Sequence, residues 1–240
     1  MKPFGQLVAT ALLLACLAQP AHVFGLTIGQ TDNFESGTTE NWVINLLGSG
    51  APPPAALPAN IPSGGPGGAD DNYLQLTAVG GGGAGSRLLA INVGQWAGNY
   101  SGTGVNAIGM DLRNLGATDL SIRLYLENPL AAPPTDTAVT TAALVPAGGD
   151  WTHVEFAVDP LALTALTGDV NALLANVTAL RIFHSSAATF PGLPIVASLG
   201  VDNITALAPA TVPEPSALGL LSLGLGGLLA WGTRRRKPAD

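Results

Sequence analysis

The sequence predicts an all-β fold, an antiparallel β-sandwich flanked by an N-terminal signal peptide and a C-terminal transmembrane helix. Three observations predict it. Short central segments alternate apolar and polar residues with a period of two, the pattern of strands with one buried face. No long amphipathic helical pattern separates them, which favours antiparallel pairing over helical crossovers. Both ends of the 240-residue chain are apolar runs with the flanks of processing segments, and these stand apart from the fold.

At the N-terminus Lys2 precedes the apolar run Leu7–Ala18, of signal-peptide length and too short for a stable span. Residues 1–25 are assigned to the signal peptide, with cleavage after Val23-Phe24-Gly25 and a mature start near Leu26. Leu13-Leu14-Ala15-Cys16 supports a competing reading, a loose lipoprotein box in which Cys16 becomes a lipidated N-terminus. Cys16 is the single cysteine, so the body, residues 26–210, holds no disulfide, cysteine-ligated zinc or cysteine nucleophile.

Within the body the clearest strands are Ile108–Arg113, Leu120–Glu127, His153–Val158 and Leu180–Phe183. Their apolar positions fall on alternate residues: Leu120, Ile122, Leu124 and Leu126 in the second, for example. Further strands are expected over Trp42–Leu47, Tyr73–Thr77, Arg87–Val93, Thr140–Val145 and Leu199–Thr205. Leu161–Asn176 departs from the pattern and reads as one short helix or two turns. Gly50–Gly68, rich in Pro, Ala and Gly, and the glycine run Gly80–Gly85 read as loops. The second is no phosphate loop, because no Lys-Ser/Thr pair follows it.

Charge narrows the partners. The body has four basic residues, Arg87, Arg113, Arg123 and Arg181, and many more acids; both lysines, Lys2 and Lys237, lie outside it. So acidic a body repels a phosphate backbone, which excludes nucleic acid as an expected partner. Catalysis is not expected either. His153 and His184 lack metal-ligand spacing, and no Gly-x-Ser-x-Gly nucleophile elbow occurs. The triplets beginning at Asn99, Asn176 and Asn203 match the glycosylation pattern, a three-residue match that carries little weight.

Two groups of residues are candidate sites. If the first and last strands pair, Asp32, Asn33, Glu35, Asp202 and Asn203 converge, and their oxygens suit a structural calcium ion that fastens the sandwich. The plainer reading makes them caps and turn formers. The polar sides of three strands present Asp111 and Arg113, then Arg123, Tyr125 and Glu127, then Arg181 and Phe183. On one sheet these would make a face of arginines, acids and rings able to hold a sugar. The plainer reading is a solvated or partly covered sheet with cross-strand ion pairs. Trp42 and Trp151 are expected in the core; Trp96 fits a core or a ligand role.

The last thirty residues, 211–240, carry the most specific signal. Pro213-Glu214-Pro215 makes a stiff, extended segment that fits a protease groove. Ser216–Trp231 is an apolar run rich in Gly and Leu, slightly short for a span, with Trp231 at the interface. Arg234, Arg235, Arg236 and Lys237 hold the far end in the cytoplasm, which places the body outside. These three elements in this order resemble the PEP-CTERM sorting signal of Gram-negative bacteria. The resemblance implies recognition by exosortase, a membrane-embedded transpeptidase-like enzyme, a precursor anchored in the inner membrane, and delivery to the cell surface or an exopolysaccharide matrix.

The body more weakly resembles a jelly-roll domain of the carbohydrate-binding type, through Asp32-Asn33-Phe34-Glu35 at its start and Val201-Asp202-Asn203-Ile204 at its end. The expected function is therefore a non-enzymatic, exported surface or matrix protein associated with exopolysaccharide. A carbohydrate-binding module with a working ligand face is the alternative, and a secreted hydrolase the second. No cofactor is expected apart from the calcium ion.

Overall fold

The computed structural model describes residues 25–44 and 50–209. The signal peptide, the lipoprotein-box reading of Cys16, the second half of the expected strand Trp42–Leu47 and the whole tail 211–240 lie outside the described residues.

Among the described residues twelve strands form two antiparallel sheets. The first sheet runs β2 (Ala59–Ile61), β3 (Tyr73–Val79), β12 (Val196–Leu207), β5 (Ala107–Asn114), β9 (Thr152–Ala157), with β1 (Thr31–Asp32) beside β12. The second runs β10 (Thr164–Thr167), β7 (Asp136–Val139), β6 (Leu120–Asn128), β11 (Ala179–His184), β4 (Leu89–Asn92), with β8 (Ala143–Val145) beside β6. A 3-10 turn at Pro54–Ala56 and two short helices, α1 (Tyr100–Thr103) and α2 (Val170–Ala175), complete it. Asn99 caps α1 by accepting from the Gly102 N–H, and Asp169 caps α2 by accepting from Ala172.

The period of two sets which face each strand buries. Leu120, Ile122, Leu124 and Leu126 of β6, with Leu180 and Ile182 of β11, meet Leu74, Leu76, Ile108, Met110, Leu112, Leu199 and Val201 of the other sheet in one core. Burying each such side chain contributes about 1.5–3 kcal/mol. A slip of β6 by one residue would instead drive Arg123 and Glu127 into that core, so the register is strongly fixed.

Three expectations need correction. Thr140–Val145 is not one strand. The chain breaks into β7 and β8 at Thr140, whose hydroxyl accepts from the Leu124 amide at 2.9 Å while its carbonyl takes Arg123 Nη1 at 2.7 Å. Leu161–Asn176 holds a strand as well as a helix, because β10 pairs with β7. The Gly50–Gly68 loop contains the 3-10 turn and β2. Trp42 is fully buried as expected, and so is Trp96. Trp151 is not in the core: half-buried, it lies outside the first sheet over Gly200, where a Cβ would come within 2.7 Å of the indole.

Candidate functional site

The seven residues expected to share a ligand face are divided between the two sheets. Asp111 and Arg113 belong to β5 in the first sheet; Arg123, Tyr125, Glu127, Arg181 and Phe183 belong to β6 and β11 in the second. Strand alternation alone does not say which strands are neighbours, so this division was not legible in the sequence.

On the second sheet the five residues do come together. Arg181 lies opposite Tyr125, and Phe183 opposite Arg123. Arg181 Nη2 meets Glu127 Oε1 at 2.6 Å, and both residues are buried. Arg123 is held by two carbonyls, donating from Nε to Ser185 at 3.1 Å and from Nη1 to Thr140 at 2.7 Å. Burial first, then the Glu127 charge, pushes the Tyr125 hydroxyl up to about 12.

A residue outside the expected set completes this face. Phe190, on the connection from β11 to β12, stacks on Tyr125 with centroids 3.9 Å apart and meets Phe183 edge-on at 5.3 Å. The Arg181 guanidinium carbon sits 5.3 Å from the Phe190 centroid and 6.0 Å from that of Tyr125. The only trace of this in the sequence is an isolated aromatic residue in a loop with prolines. Beside Phe190 a half-open cleft of about 250 Å³ lies between the Gly83–Arg87 turn and Phe190–Pro191, with Leu89 and Arg181 also in its wall.

The outer face of the first sheet holds an acidic row. Asp202 lies directly opposite Asp111, and Asp111 opposite His153, which it meets at 2.9 Å. Asn203, at φ 50° in the bulge that shifts the register of β12, donates from Nδ2 to Asp111 at 2.8 Å. Asp202 is fully buried; Oδ1 accepts from the Asn203 amide at 2.7 Å, while Oδ2 has no partner. Burial raises its carboxyl to about 7, and the charges of Asp71, Asp111 and Glu35 add to the effect.

The residues expected to bind calcium thus separate. Strand β1 does pair with β12, but Asp32 points into the core. Its carboxylate accepts from Trp96 Nε1 at 2.6 Å, Trp42 Nε1 at 2.8 Å and Gln95 Nε2 at 3.1 Å, so its charge is engaged by donors inside the body. Asn33 is an exposed turn former whose oxygen accepts from the Glu35 amide at 3.4 Å. Glu35 accepts from the Asn72 amide at 2.8 Å. Among the described residues no group of three or more His, Cys, Asp or Glu is arranged to hold a metal ion. The buried, unpartnered Asp202 oxygen is nonetheless the kind of group a hard cation satisfies.

Among the described residues neither histidine is hydrogen-bonded to a serine or threonine hydroxyl: His153 is exposed on Asp111, and His184 Nδ1 accepts from the Ser121 amide at 3.0 Å. Among the described residues no helix is long and apolar enough to cross a membrane.

Residues 211–237 match the family model of the PEP-CTERM protein-sorting motif. The chain carries a PEP-CTERM sorting signal. Such a signal marks an exported protein that is processed at a membrane and sorted to the surface, and here it begins four residues beyond β12. No curated protein matches the sequence. Among solved structures the body is similar to part of an exo-β-agarase, with a TM-score of 0.54 at 13% identity over 79% of this chain and 26% of that one. The chain thus spans about a quarter of the agarase chain, and the likeness is one of fold. A family 11 carbohydrate-binding module from Clostridium thermocellum, solved with a β-1,3-1,4-mixed-linked tetrasaccharide, gives a TM-score of 0.49 at 15% identity, covering 76% of this chain and 97% of that one. The body of this chain is therefore a β-sandwich that shares its fold with part of the agarase chain.

Proposed function

We propose that this PEP-CTERM chain is a non-enzymatic surface or extracellular-matrix protein. An exosortase-type transpeptidase acts on an inner-membrane-anchored precursor, and the body then associates with exopolysaccharide. The sorting motif carries this reading. The test is the mass of the C-terminus in the native host. A mature protein outside the inner membrane, ending near Pro213–Pro215, supports it; a chain still ending with Arg234–Lys237 in the inner membrane overturns it.

A second reading makes the body a carbohydrate-binding module that uses the second sheet. The Arg181, Tyr125, Phe183 and Phe190 cluster beside an open cleft favours it. A glycan array of the body decides between an inert matrix component and a binder. The structural calcium ion is proposed with a revised set of residues. Asp202 is its centre, because its buried Oδ2 has no partner, with Asn203 and Asp111 beside it; Asp32, held by two indoles, is left out.

A further inference from the structure

We propose that the cleft between the Gly83–Arg87 turn and Phe190–Pro191 binds an anionic sugar unit, a uronate or sulfated residue of an acidic polysaccharide. This rests on the carbohydrate-binding reading and deepens it by naming the ligand class.

Charge sets this cleft apart from the rest of the body. The body is acidic, with fourteen Asp and Glu against four Arg. Yet the wall of this cleft contains no acid and two of the four arginines, Arg87 and Arg181. A third, Arg123, is on the same sheet face, where its nearest groups are carbonyls. Arg87 is held in place by its Nε, which donates to the Gly192 carbonyl at 2.9 Å. Among the described residues its terminal nitrogens have no hydrogen bond and no carboxylate within 4.0 Å. A fixed guanidinium whose fork has no partner among the described residues is a receptor for a carboxylate or sulfate.

Arg181 supplies the independent observation. It is 4% exposed, its Nε has no partner, and its one ion pair engages Nη2 alone. A buried cation left partly unsatisfied is costly, and a second anion arriving from the cleft relieves that cost. Phe190 beside it offers a ring against which the C–H face of a sugar packs. The volume, about 250 Å³, falls just below the roughly 300–1,000 Å³ of drug-sized sites, which suits one sugar ring with its chain continuing into solvent. Glu127 is paired with Arg181, and repulsion from acids farther off is damped, because the screening length is about 8 Å at physiological salt.

The test is affinity electrophoresis of the whole body through gels of polygalacturonate, a sulfated galactan or neutral mixed-linkage β-glucan, at fixed ionic strength. Retardation is expected with one or both anionic polymers and not with the neutral one, and the two anionic arms tell carboxylate from sulfate. Arg87→Gln should weaken it at least tenfold and Arg87→Lys by less, since lysine keeps the charge but not the fork. Arg113→Gln removes one positive charge from the opposite sheet, so its binding should stay within twofold of wild type. Equal losses in Arg87→Gln and Arg113→Gln would reduce the effect to net charge and overturn the inference. Retardation by the neutral glucan alone would overturn the anionic assignment and leave the carbohydrate reading standing. Retardation by none of the three would remove both.

Discussion

Replacing Asp202 by Asn removes a buried charge at every pH while keeping the shape. In the folded protein this carboxyl titrates near 7, against 3.8 when free. The native state therefore holds a proton that the unfolded chain releases, and stability falls as pH rises from 3.8 to about 7. Ionising the group in place costs about 4 kcal/mol. The amide puts a buried NH₂ with nothing to donate to where Oδ2 stands, a loss of roughly 1–3 kcal/mol. Without calcium at pH 8, Asp202→Asn should thus be more stable than wild type by about 1–3 kcal/mol, and at pH 4.5 less stable. Urea unfolding followed by tryptophan fluorescence, with EDTA, reads both, because Trp42 and Trp96 are fully buried. Adding calcium at pH 8 should close or reverse this gap: an ion present at a hundred times its dissociation constant adds about 2.7 kcal/mol to wild type and nothing to the variant. A wild type whose stability is flat from pH 5 to 8 in EDTA would refute the titration argument. Equal responses of the two proteins to calcium would refute the ion.

Asp32→Ala strands two buried indole N–H groups and should cost about 3–5 kcal/mol in the same assay; a loss under 1 kcal/mol would mean that the indoles find other acceptors. Glu127→Ala leaves Arg181 buried without its carboxylate and should cost about 3–5 kcal/mol, with Glu127→Gln intermediate, as read from thermal melts. Phe190→Ala removes the stack on Tyr125 and the edge contact with Phe183. It should cost about 1–3 kcal/mol and make Tyr125 accessible to a surface quencher, which an unchanged quenching constant would contradict.

The strands that alternate cleanly, such as Leu120–Glu127 and Leu180–Phe183, were legible because one face is core and the other is not. β7 and β10 were not. They lie at and next to the sheet edge, and β10, with its four residues exposed or half-buried, shows no apolar side to find. The tail was legible because its signal is local, three unlike segments in sequence order. The site was half legible. Arg123, Tyr125, Glu127, Arg181 and Phe183 were found by alternation, but the splitting of β5 from β6 depends on sheet order, which no local pattern encodes. Asp32 shows the same limit. Its neighbour Asn33 is exposed and Asp32 is not, and nothing in Asp-Asn-Phe-Glu says that two tryptophans, ten and sixty-four positions on, share its carboxylate.

The way β12 is built into its sheet has a mechanical consequence. It is the longest strand, twelve residues or about 40 Å, with antiparallel partners on both sides, and the sorting tail follows directly from its end. A pull on the C-terminus runs along the axis of β12. It loads the ladders to β3, β5 and β1 in shear, so many hydrogen bonds must fail together rather than open one by one. Phe190 and the cleft lie on the chain leading into Val196, at the opposite end of the same strand. A load borne at the attachment point and a load borne by anything held in the cleft would thus meet along one taut line through the middle of the sheet.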